Sequence, residues 1–85
     1  MSKYFYPAIF VKEDAGYSVN FPDLRNCFTS GETLEEAIGM ASDVLCLTLC
    51  ELEQECAAIP AASAVSTVPH GENASVLLIG CDTSA

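Results

Sequence analysis

The chain has 85 residues, enough for one small domain, residues 1–85, and too few for two cores. Hydrophobic residues make up 51% and charged residues 18%, which excludes a disordered acidic tail, and no apolar run approaches the roughly 18 residues of a membrane span. Twelve Asp and Glu against three Lys and Arg leave a net charge of −9, which disfavours direct contact with nucleic acid or an anionic membrane and favours a basic protein partner.

In chain order, Lys3–Lys12 reads as a strand, rich in aromatic and β-branched residues and apolar on both faces. Tyr4, Tyr6, Ala8 and Phe10 point one way, and Phe5, Ile9 and Val11 the other. Such a strand belongs inside a sheet, and Pro7 must sit where no ladder bond is needed. Glu13-Asp14-Ala15-Gly16 predicts a hairpin turn, followed by an alternating strand over Tyr17–Phe21. Asn26 is expected in the left-handed region, and Cys27–Ser30 forms a third strand ended by Gly31.

Thr33-Leu34-Glu35-Glu36 has the pattern of a capping box, in which the Glu36 carboxylate reaches back to the Thr33 amide. Behind it, Leu34, Ile38, Ala41, Leu45, Leu49, Leu52 and Cys56 recur at three- and four-residue steps. They predict one amphipathic helix from Leu34 to about Glu55, with Leu34 and Ile38 in the core. Residues 57–71 read as a loop, and Ala74–Ile79 as a short buried strand. The order is βββαβ, an α+β fold with one long helix on one face of the sheet and no cover on the other. The simplest path back runs strand 4 parallel to an N-terminal strand through a right-handed crossover.

Five cysteines, Cys27, Cys46, Cys50, Cys56 and Cys81, lack any CxxC spacing. The start Met1-Ser2-Lys3 and the short apolar run Ala8–Val11 do not make a signal peptide. Reduced thiols in an intracellular protein are expected, with no metal site and no cofactor. A disulfide between Cys46 and Cys50 would be strained within a helix. His70, flanked by Pro69 and Gly71, has no nucleophile motif around it. The expected sheet resembles part of the ribonuclease H fold, whose enzymes hold magnesium on strand carboxylates. Strand 1 carries no acid from Tyr4 to Val11, and strand 4 none before Asp82, so no enzyme is expected.

The run Tyr6-Pro7-Ala8-Ile9-Phe10, then Gly16–Leu24 with its FPDL, then Cys27, then the GETLEEA of Gly31–Ala37, resembles the HicB antitoxins of bacterial type II toxin–antitoxin modules. The likeness extends through the helix into Ile59-Pro60 and Val76–Asp82. It implies a partial ribonuclease H-like βββαβ domain in the bacterial cytoplasm. The implied partner is a HicA-type toxin, a small basic ribonuclease that cleaves mRNA and is neutralised when its active surface is covered. Family members often carry a C-terminal DNA-binding module, and no such module is expected here. Asp23, Glu32, Glu35 and Glu36 are the candidate toxin-binding residues, expected to cluster around strand 3. The uncovered sheet face predicts a dimer. The alternatives are a vestigial ribonuclease H-like nuclease and a generic dimeric binding module.

Overall fold

The aromatic and β-branched residues near the N-terminus form the central strand of a four-stranded sheet. The computed structural model describes residues 3–83. Its elements are β1 (Lys3–Glu13), β2 (Gly16–Asn20), β3 (Phe28–Gly31), α1 (Leu34–Gln54), a single 3-10 turn (Val65–Thr67) and β4 (Ala74–Asp82). The strand order is β3-β2-β1-β4, with every neighbour antiparallel. α1 covers one face, as the βββαβ pattern requires.

β1 pairs with β4 along Lys3–Val11, but with β2 only from Ile9 to Glu13. The Lys12 amide donates to the Asn73 carbonyl at 3.0 Å, so the amides of even-numbered residues in β1 point towards β4. Pro7 therefore faces the other way, past the end of β2, where its missing N–H leaves no gap in the ladder. Gly16 closes the first hairpin with φ of 148°, and Asn26 has φ of 58°.

The direction of β4 differs from the expected one: it runs antiparallel to β1, not parallel. A parallel return requires the chain to start β4 at the end where α1 finishes. Residues 55–73 instead carry the chain back along the sheet, and β4 begins with Ala74 opposite Val11. β1 is roughly 36 Å long at about 3.3 Å per residue, well within reach of that connection. The crossover rule governs parallel returns only and has no hold here.

The core lies between sheet and helix. Tyr6, Ala8 and Phe10 of β1, Val19 of β2, Phe21, Leu24 and Cys27 meet Ala37, Ala41, Leu45 and Leu49 of α1, with Ile79 and Cys81 of β4. The small residues at 37 and 41 let the helix approach β3 closely. A Cβ on Gly31 would lie 2.5 Å from the Ala37 nitrogen, so glycine is required there. Leu34 and Ile38 do not join the core. They lie on the same helix stripe but stay 41% and 38% exposed, and Leu34 borders an open groove where no other element covers it.

The cysteines also depart from expectation. Cys46 of α1 and Cys81 of β4 pair as a disulfide, with Cα atoms 5.3 Å apart, while Cys27, Cys50 and Cys56 are free. Spacing along the helix argued only against Cys46–Cys50. The bridge joins two elements that only the tertiary fold brings together. On the second face of the sheet, Phe5, Phe28 and Leu78 are 56%, 64% and 55% exposed. Pro7, between them, is fully buried.

Candidate functional site

The acidic residues gather at the ends of the sheet. At one end lie the β1–β2 turn with Glu13 and Asp14, the start of α1 with Glu32, Glu35 and Glu36, and Glu72 just before β4. These are half of the chain's twelve acidic residues, and Lys12 is the one Lys or Arg beside them among the described residues. The register brings them together: Glu13 pairs with Gly16, Tyr17 with Gly31, and Val11 with Ala74.

Local bonding fixes the helix start. The Glu36 amide donates to the Thr33 hydroxyl at 3.1 Å, and the Glu36 carboxylate accepts from the Glu32 amide at 3.0 Å. The reciprocal bond of the capping box thus lands one residue earlier than the expected Thr33 amide. Glu35 and Glu36 lie in the first turn, where the positive end of the helix favours negative charge. Glu32 and Glu35 are exposed.

Asp23 does not belong to this cluster. It lies in the β2–β3 loop at the opposite end of the sheet, where its carboxylate accepts from the Ser63 amide at 2.8 Å and the Ser63 hydroxyl at 2.6 Å. Closeness to β3 in sequence placed Asp23 beside Glu32, but β3 itself separates them. The Asp23 carboxylate instead ties the connection of residues 55–73 to the β2–β3 loop. Nearby, the Tyr6 hydroxyl donates to the Pro60 carbonyl. Burial pushes the Tyr6 phenol up, and repulsion from Tyr4 once that phenol ionises, and from the Asp23 carboxylate, adds to the rise.

An open groove of about 710 Å³ lies beside the acidic helix start. Phe10, Tyr17, Leu34 and Leu77 give it apolar walls, and Lys12, Glu13, Asp14 and Glu72 stand around it. A shallower depression next to it is bounded by Glu13, Gly31, Glu32 and Glu36. Sequence reasoning missed the groove because Glu72 and Asn73 reach this end only when β4 runs antiparallel to β1.

Other reactive groups have structural roles. Burial pushes the Cys27 thiol up, opposed by the hydrogen bond that Thr48 donates to it at 3.5 Å. His70 is exposed, with Nδ1 3.1 Å from the Gly71 carbonyl oxygen. No three His, Cys, Asp or Glu side chains converge as a metal site among the described residues, and no helix there is long and apolar enough to cross a membrane.

Comparison with known proteins points one way. The model of the HicB-like antitoxins of bacterial toxin–antitoxin systems matches residues 6–84. Antitoxin HicB 2 of Photorhabdus laumondii is 45% identical over 40 residues, 47% of this chain and 29% of that protein. Antitoxin HicB 1 of the same organism is 52% identical over 33 residues, 39% of this chain and 21% of that protein. The matched segments therefore span less than a third of these relatives.

Among solved structures, a toxin–antitoxin complex from Streptococcus pneumoniae contains a chain with TM-score 0.89 and 25% identity, over 96% of this chain and 71% of that one. A chain of the HicA3 and HicB3 toxin–antitoxin complex gives TM-score 0.75 at 20% identity, over 93% and 99%. The N-terminal domain of the Burkholderia pseudomallei antitoxin HicB gives 0.72 at 21%, over 89% and 95%; these last two likenesses concern the fold alone. With a family match that runs nearly from end to end, the chain belongs to the HicB-like antitoxins of bacterial toxin–antitoxin systems.

Proposed function

We propose that this chain neutralises a small basic HicA-type ribonuclease in the bacterial cytoplasm by covering its active surface, without catalysis of its own. The observation that carries this reading is the family match over residues 6–84 in a chain of net charge −9. Half of its acidic residues are gathered at one end of the sheet. A basic toxin is drawn to that end by complementary potential, which speeds encounter and sets orientation. Glu32, at the same depression as Glu13, and Glu35, in the first turn of α1, are exposed and are the leading contacts; Glu36 adds charge while it caps the helix. Asp23, held by Ser63 at the far end, is set aside as a toxin contact.

The second sheet face fits a different partner. Phe5, Phe28 and Leu78 stand exposed there, and between its ends, marked by Lys3 and Asp82 and by Glu13, this face carries no charge. A second copy of a strongly acidic chain can approach an uncharged apolar face without repulsion, so a homodimer through this face is part of the proposal.

Growth provides the test. Induction of a HicA-type toxin arrests a bacterial culture, and co-expression of this chain is expected to restore growth and to yield a co-purifying complex. Continued arrest with no complex would overturn the reading. Reversal of Glu32 and Glu35 to Lys is expected to slow association and flatten its salt dependence, whereas reversal of the exposed Glu51 and Glu55 at the far helix end should matter less. Magnesium-dependent RNA cleavage by the chain alone, abolished by a chelator, would favour the nuclease alternative instead.

A further inference from the structure

We infer that the groove between the start of α1 and the paired ends of β1 and β4 is an anchor site. Its occupant is one apolar side chain, flanked by basic ones, on a positively charged protein partner. The partner's identity rests on the antitoxin reading; the docking place rests on the groove itself.

Three observations carry the inference. First, Leu34 occupies the helix stripe that buries Ala41, Leu45 and Leu49 completely, yet it remains 41% exposed, and Ile38 one turn later is 38% exposed. Apolar area turned towards the sheet but left open is what a partner can remove from water. Second, the groove has the size to accept a large side chain, at about 710 Å³, and although Asn73 and Ser75 make part of it polar, Tyr17, Leu34 and Leu77 give it an apolar side. Third, Glu13, Asp14 and Glu72 stand at the same groove with only Lys12 opposing them. That surround repels a second copy of a −9 chain and attracts Lys or Arg on either side of an inserted apolar residue. Interfaces concentrate binding energy in such central apolar anchors ringed by polar contacts.

The Leu34→Glu variant separates anchoring from charge attraction. It removes the apolar wall and adds negative charge, and it suits the first turn of a helix, so the fold should persist. If the groove holds an apolar anchor, Leu34→Glu binds a catalytically inactive HicA-type toxin about tenfold or more weakly, through faster dissociation. Leu34→Met should bind as the unaltered chain does. If only charge matters, Leu34→Glu binds as well or better, and the inference is overturned.

Amide chemical shifts of the unaltered, isotope-labelled chain give a readout independent of any variant. Addition of the toxin is expected to move Tyr17, Leu34 and Leu77; shifts confined to Phe5, Phe28 and Leu78 would contradict the anchor site. Dispersal of a self-associated form by Leu34→Glu would show a second copy in the groove and would also overturn the inference. Failure of the unaltered chain to bind the toxin would instead overturn the antitoxin reading.

Discussion

The Glu53 carboxylate accepts a hydrogen bond from the Tyr4 hydroxyl at 2.7 Å and another from Thr83 at 3.2 Å. The Tyr4 bond is the main reason that Glu53 is held below the ordinary glutamate range. A carboxylate with a lowered folded pKa stabilises the fold fully above its unfolded value, about 4.3. That contribution disappears as pH falls through the lowered folded value. Tyr4→Phe is expected to flatten this part of the stability profile, as read by urea unfolding at a series of acidic pH values; an unchanged profile would show that the bond is not maintained in solution. Some features at this scale were legible in the sequence because they depend on a few neighbouring residues. The left-handed Asn26, the positive φ of Gly16 and the Thr33 cap are of this kind. The Glu36 bond to the Glu32 amide and the Ser63 bonds to Asp23 were less so, because they depend on the path of the chain outside the motif.

Elements were legible where their pattern is local. The doubly apolar run of β1 marked an interior strand, and the three- and four-residue steps from Leu34 marked α1. The direction of β4 had no such signal: its apolar run reads the same in either sense, and residues 55–73 lack the periodicity that would show them running back along the sheet. That direction decides the groove, since it brings Glu72 and Asn73 to the end of the sheet that holds Glu13 and Leu34. It also pairs Tyr4 with Cys81, setting the β4 end of the Cys46–Cys81 bridge beneath α1. The bridge closes a loop with a sequence separation of 35, for which a contribution of about 2–4 kcal/mol is expected once it is oxidised, whereas a reducing cytoplasm keeps such pairs as thiols. Denaturant unfolding with and without a thiol reductant should differ by about that amount, and Cys46→Ser should remove the difference. Equal stability under both conditions would mean that the bridge does not form.

At the scale of the whole molecule, two surfaces divide by chemistry. The acidic end carries the half-apolar groove proposed for a basic toxin, and the uncharged second face is the one proposed for another copy of the chain. Phe5→Ser combined with Leu78→Ser should convert a dimer to monomers in light scattering while leaving toxin affinity nearly unchanged. Both residues are more than half exposed, so the cost to the fold should be small. A monomeric unaltered chain at high concentration would remove the second-face dimer from the account. Neutralisation by covering of the toxin can be followed as RNA cleavage by a purified HicA-type toxin in the presence of increasing amounts of this chain. Cleavage is expected to stop as the chain saturates the toxin, and higher salt to shift the inhibition to greater amounts of chain. Undiminished cleavage in the presence of a large excess of folded chain would contradict it.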